Sequence, residues 1–161
     1  MWGLAFDSDR AVFYGGMEQL SNIRIVAMNP NTGSVTPLPN KVGAYTTDLA
    51  FNPSDHQIYG VASVGGGPKL MRIDRDTGIG TVVGPTTAVN GLDWDPATAH
   101  LIGISNASGL WSIDHTTGRD TLITSSAQPH RVGGTRGDPG RRRPRWSRSI
   151  RSALPTRRRY A

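Results

Sequence analysis

Three observations predict an all-β chain built from repeated four-stranded units. A pair of sequence anchors recurs three times in the same order. Each repeat divides into four short apolar runs separated by turn residues. No stretch carries a 3.6-residue apolar stripe with caps, so helices are not expected. Self-similarity at a fixed spacing marks an array of supersecondary units, none of which can bury its apolar face alone.

The first anchor reads Leu4-Ala5-Phe6-Asp7, then Leu49-Ala50-Phe51-Asn52-Pro53, then Leu92-Asp93-Trp94-Asp95-Pro96, at spacings of 45 and 43 residues. A second apolar run follows each: Val12-Phe13-Tyr14-Gly15, Ile58-Tyr59-Gly60-Val61 and Leu101-Ile102-Gly103-Ile104. Each unit closes with Met28-Asn29-Pro30-Asn31-Thr32-Gly33, Ile73-Asp74-Arg75-Asp76-Thr77-Gly78 or Ile113-Asp114-His115-Thr116-Thr117-Gly118.

The third unit shows the four runs: Val89–Trp94, His100–Ser105, Gly109–Asp114 and Asp120–Ser125. Short runs rich in Val, Ile, Leu and aromatics, bounded by Asp, Pro, Gly and Thr, read as strands. Asp95-Pro96-Ala97-Thr98 sets Pro where a type I turn wants its preset φ. In the third connection, Asp-x-x-Thr-Gly, the first side chain can bond the turn backbone, and the closing Gly accepts a positive φ. Gly65-Gly66-Gly67-Pro68 has neither the Lys nor the following helix of a phosphate loop. It reads as a wide turn between the second and third strands of unit two. Four strands in about 43 residues, joined by hairpins, is the period of a β-propeller blade.

The segment Leu70-Met71-Arg72-Ile73-Asp74-Arg75-Asp76-Thr77-Gly78, followed by Thr81-Val82-Val83-Gly84-Pro85-Thr86, resembles the blades of bacterial β-propellers. The groups it is similar to are the YVTN-like and quinoprotein-amine-dehydrogenase-β-chain-like repeats. The resemblance covers about residues 1–125 and implies the fold. Such propellers serve as enzymes, ligand binders and interaction modules alike, so it implies no single activity. Trp94-Asp95 ends a first strand and is not a WD-repeat signature, although the architecture is WD-repeat-like.

The blades are placed at about 1–44, 45–87 and 88–129. Closed propellers have four to eight blades, and the chain has 161 residues. Three blades plus a remnant are therefore expected to be a partial propeller, a piece of a longer one. A closed four-blade ring and an oligomer that completes the ring are the alternatives. Met1-Trp2-Gly3-Leu4 enters directly into a first strand, with no leader, signal peptide or membrane run. The compartment stays open, and an extracytoplasmic one requires a leader on a longer parent.

Charge is segregated. Residues 1–129 hold 7 Lys+Arg and 11 Asp+Glu, whereas residues 130–161 hold 11 Arg and one acid. A fourth blade should begin at Gly134-Thr135-Arg136-Gly137-Asp138-Pro139, but Arg141-Arg142-Arg143-Pro144-Arg145-Trp146 follows instead. Packing that run between sheets would bury unpaired guanidinium groups, so the tail is expected to be disordered. The favoured reading is a frame lost near Gly134, since a GC-rich gene read out of frame yields this composition. An inert basic tail is the second reading. The third is a nucleic-acid or anionic-surface arm, with Arg141, Arg142, Arg143 and Arg145 on phosphates and Trp146 stacked on a base. Arg136-Gly137-Asp138 is a chance match to an integrin motif.

The absence of cysteine excludes disulfides and thiolate metal sites. Asp74–Gly78 and its counterparts lack the third oxygen position and distal bidentate acid of a calcium loop, so turn chemistry explains them. His56, His100, His115 and His130 do not pair at metal-ligand spacing. No Gly-x-Ser-x-Gly elbow occurs. No catalytic residue, metal site or cofactor is therefore predicted.

First strands line a propeller's channel, which makes Thr46, Thr47 and Asp48 of blade two and Asn90 and Asp93 of blade three the ligand candidates. Asp48 heads that set, weighed against a solvated or turn-bonded carboxylate. Trp2 and Trp94 are expected to pack between blades. The expected role is a non-catalytic binding or scaffold module whose protein or small-molecule partner is unknown, with further blades or another copy needed to close the ring. The enzyme alternative is a quinoprotein- or lactonase-like propeller with its catalytic residues in other blades.

Overall fold

The structure, a computed structural model, describes residues 2–19, 22–105 and 109–124. The side chains of residues 2, 18, 19 and 22 lie outside that description. The described residues form twelve strands and no helix. The first sheet contains β1 (Trp2–Asp7), β2 (Val12–Gln19), β3 (Asn22–Met28) and β4 (Val35–Lys41). The second contains β5 (Thr46–Asn52), β6 (Gln57–Val64), β7 (Gly67–Asp74) and β8 (Gly80–Pro85). The third contains β9 (Gly91–Asp95), β10 (His100–Ser105), β11 (Gly109–Ile113) and β12 (Asp120–Thr124). Each is an antiparallel meander in chain order. The fold is all-β and propeller-like, with three blades.

The sheets stack through their faces. β5 contacts both β1 and β9, so the first strands of the three blades lie side by side. Alternation along β5 sends Leu49 and Phe51 toward blade one and Ala50 toward blade three. One cluster joins blades one and two through Ala5, Tyr14, Ile23 and Ile25 against Leu49, Phe51, Ile58 and Met71. The other joins blades two and three through Ala50, Tyr59, Val61 and Leu70 against Leu92, Leu101 and Ile113. Burying each of the larger of these side chains, Val, Leu, Ile, Met and Phe, contributes roughly 1.5–3 kcal/mol.

The turns follow the repeat. Asn29, Asp74 and Asp114 each accept hydrogen bonds from turn amides two and three residues on. Gly33, Gly78 and Gly118 close those turns at φ of 71°, 80° and 78°. The turn after each first strand also passes through positive φ, at Ala11, His56 and Ala99, none of them Gly. The glycine run of blade two is a tight hairpin rather than a wide turn. Val64 pairs Gly67, only Gly65 and Gly66 intervene, and Gly67-Pro68 already belong to β7. Glycine serves close approach between blades at Gly84, where an added Cβ would run into the Thr117 carbonyl oxygen.

Candidate functional site

Thr46, Thr47 and Asp48 lie on β5 and Asp93 on β9, whereas Asn90, expected on the same first strand as Asp93, sits in the bend just before β9. Thr46 pairs Ala62 while Leu49 pairs Gly60, so β5 carries one extra residue in a bulge that contains Thr47 and Asp48. A bulge re-aims side chains that regular pleating would hold. Thr47 Oγ1 donates to the carbonyl oxygen of Val89 at 2.8 Å. The Leu92 amide donates to Asp48 Oδ2 at 2.8 Å. Both bonds cross from blade two to blade three. Gly3 of blade one makes room on the other side, since a Cβ there would stand 2.8 Å from Asp48 Oδ1. The Asp48 carboxylate therefore spans the three first strands, half-buried. Thr46 is buried, and its hydroxyl has no hydrogen-bond partner.

The hydrogen bonds from the Asn90 amide and to Asp93 Oδ1 stay within blade three. The Asn90 amide donates to the Ile104 carbonyl at 2.8 Å, closing β9 onto β10. Asp93 Oδ1 accepts from the next amide, that of Trp94, at 2.8 Å. Leu92 faces the core shared with blade two, so Asp93 projects from the opposite face of β9.

A second polar cluster, unforeseen in the sequence, sits where the first strands end. Arg75 of blade two donates through Nη1 to Asp7 Oδ2 at 2.8 Å and to Asp9 Oδ2 at 3.3 Å in blade one. Its guanidinium carbon lies 5.6 Å from the Phe51 ring centroid. Asp7 is 0 % exposed, and its other oxygen accepts from the Asp9 and Arg10 amides. Arg10 Nη1 donates to Asp76 Oδ1 at 2.6 Å, and that bond raises the guanidinium's affinity for its proton. His56 Nδ1 meets Asp9 Oδ2 at 2.6 Å. Burial pushes the Tyr14 phenol up, against the opposing pull of its Arg10 hydrogen bond. The signal was an acid-base-acid turn, Asp74-Arg75-Asp76, in one blade and Asp7-Ser8-Asp9-Arg10 in its neighbour.

The matching place between blades two and three is built without a cation–carboxylate pair among the described side chains. His115 stands where Arg75 does, edge-on to Trp94 at 5.2 Å and to Tyr59 at 5.9 Å. Trp94 packs against the core shared by blades two and three, while the Trp2 side chain lies outside the described residues. Tyr59 donates to Asp55 Oδ2 at 2.6 Å, and burial first, then this bond, raises its phenol well above the ordinary value. Asn52 replaces Asp7 here. Its Nδ2 and the His115 Nδ1 are both buried without a partner. His100 Nδ1 bonds Ser112 Oγ at 2.7 Å.

Turn carboxylates explain the repeated Asp-x-x-Thr-Gly. Bonds from Thr77 lower the Asp74 pKa, and Thr116 holds Asp114 down at about 2. A groove of about 460 Å³ on blade two is lined by Asp55, Gln57, Arg72, Asp74, Thr77, Ile79 and Thr81. The predicted channel residues lie elsewhere. Among the described residues no three His, Asp or Glu side chains converge to hold a metal ion. None of the described residues forms a helix long and apolar enough to cross a membrane. His130 and the tail residues Arg141, Arg142, Arg143, Arg145 and Trp146 lie outside the described residues.

The sequence matches no protein-family model and no curated protein. Among solved structures the fold is similar to TolB from Acinetobacter baumannii, a β-propeller protein, with a TM-score of 0.54 at 15% identity. The match covers 77% of this chain and 32% of TolB, so the chain spans about a third of its neighbour's length. At that identity the likeness is one of fold.

Proposed function

We propose that the chain is a scaffold module of a β-propeller, whose first-strand polar residues join blades instead of performing chemistry. The observation that carries this reading is the pair of bonds from Thr47 and Asp48 to the backbone of Val89 and Leu92. A hydroxyl and a carboxylate oxygen used in this way are satisfied by the fold, and the exposed surfaces are left to recognise partners. The expected outcome is that Asp48→Ala and Thr47→Val each lower the thermal unfolding midpoint by several degrees, as the loss of ~1–1.5 kcal/mol does in a domain of this size. Midpoints equal to wild type would contradict the scaffold role and make Asp48 a free channel carboxylate, as a ligand site requires.

A further inference from the structure

The two contacts between blades differ on the segments that link one blade to the next. The Val42 amide donates to the Ile23 carbonyl at 2.9 Å, and the Thr86 amide donates to the Pro68 carbonyl at 3.2 Å. Tyr14 pairs Ala27 and Tyr59 pairs Arg72 in equivalent ladders, and counting back four residues from each partner reaches Ile23 and Pro68. Val42 and Thr86 therefore occupy the same position. Each meets the residues that follow the closing Gly of a neighbouring turn, Gly80 beside Val42 and Arg119-Asp120 beside Thr86.

Between blades one and two this place is apolar and filled. Val42 is 2% exposed, and a Cβ on Gly80 would stand 2.7 Å from Val42 Cγ1. Between blades two and three it opens into a groove of about 380 Å³ lined by Pro85, Thr86, Thr87, Arg119 and Asp120. Asp120 Oδ2 accepts from the Thr87 amide at 2.6 Å. Among the described residues no ion pair claims the Asp120 carboxylate or the exposed Arg119 guanidinium. Thr86 is 9% exposed, and its hydroxyl is buried without a hydrogen-bond partner. Val would match its shape without an orphaned hydroxyl, so the stacking of the blades does not call for Thr here. The groove lies within a contact whose two blades are both described. Ile79, the equivalent of Arg119, stays 51% exposed although blade three covers blade two, so a following blade leaves this position open.

We propose that this groove binds a small zwitterion of the α-amino acid class. Arg119 takes the ligand's carboxylate, the group that a guanidinium recognises through paired N–H donors. Asp120 Oδ1, which accepts no bond within the described residues, receives the ammonium group. Rotation about χ1 exchanges the hydroxyl and methyl of Thr86 between staggered positions, and the ligand's carboxylate gives that hydroxyl the partner it lacks. A simple anion is repelled by Asp120 and a simple cation by Arg119, so the pair of opposite charges selects a ligand that carries both.

The test is a titration of glycine, which carries the two charges every α-amino acid shares, into the full 161-residue chain. Calorimetry and the amide chemical shifts of Thr87 and Asp120 follow it. Wild type is expected to bind with a dissociation constant of about 1 mM, in keeping with so small a ligand. Acetate and methylamine, each with one of the two charges, are expected to bind about tenfold more weakly or worse. Arg119→Gln, an exposed change, is expected to raise the glycine dissociation constant about tenfold. Thr86→Val is expected to weaken binding about threefold and at the same time to raise the thermal midpoint, a pairing that damage to the fold does not produce. The absence of glycine-dependent shifts in wild type would overturn the proposal. So would acetate or methylamine bound as tightly as glycine, or an affinity unchanged in either variant.

Discussion

The two contacts between blades are built from equivalent repeat positions, yet they are pinned at opposite ends of the first strands. Between blades one and two the polar work falls where β1 and β5 end, with Arg75 clasping Asp7 and Asp9, and Arg10 clasping Asp76. At the beginning of β1, Gly3 contributes no side chain. Between blades two and three the arrangement is inverted. Asp48 and Thr47 hold the beginning of β9, and the far end carries His115 against Trp94 and Tyr59. The apolar stacking is common to both contacts. The difference teaches that the repeat dictates where sheets meet, while a few polar substitutions decide which end of each contact is fastened.

The largest break in this comparison is expected at Arg75. Arg75→Ala leaves the fully buried Asp7 carboxylate with only two backbone amides, and breaking a buried pair in this way costs about 3 kcal/mol or more. His115→Ala at the equivalent position removes two edge-on ring contacts and no resolved hydrogen bond of Nδ1, so about 1 kcal/mol is expected. Urea unfolding of both variants checks the ratio, and equal losses would erase the distinction between the two contacts. Asp48→Ala lies between them at about 1.5 kcal/mol, because one charge-assisted bond to a half-buried carboxylate is lost.

A smaller effect depends on pH. The folded-state pKa of Asp114 is held at about 2 by Thr116, below the ordinary carboxylate value. Its stabilisation is present above pH ~4 and is lost as pH falls through about 2. Asn29 closes the same turn in blade one without a charge, accepting at 2.9 and 3.2 Å. Asp114→Asn should therefore retain stability at neutral pH and flatten the acid dependence below pH ~4; an unchanged acid profile contradicts this. The smallest effect is a gain. Ala99 holds φ at 55°, a strain of ~1 kcal/mol or more that Gly avoids at an entropic cost of ~0.5–1 kcal/mol. Ala99→Gly should stabilise by about 0.5 kcal/mol, and a destabilised variant would place the strain elsewhere.

Much of the fold was legible in the sequence because it is local. Apolar runs, Pro and Asx-type turns and the closing Gly each act within a few residues, and their threefold recurrence reinforced every strand. Nonlocal features were not legible. The repeat aligns Arg75 with Pro30 and His115, but only the stacking of sheets shows that Arg75 meets Asp7. Asp48 stood out as a first-strand carboxylate, yet its bond to Leu92 depends on a bulge that has no sequence signature here. The positive φ of Ala11, His56 and Ala99 went unseen for a similar reason, since none is Gly and the turn alone imposes it.

Amide hydrogen exchange on Arg75→Ala and Asp48→Ala tests the inverted fastening most directly. Arg75→Ala is expected to speed exchange along β1 and β2 and to leave β9 and β10 as in wild type. Asp48→Ala is expected to speed exchange at Leu92 and its β9 neighbours while β1 and β2 stay protected. If both substitutions loosen all three blades alike, the contacts are not fastened separately and the account is wrong.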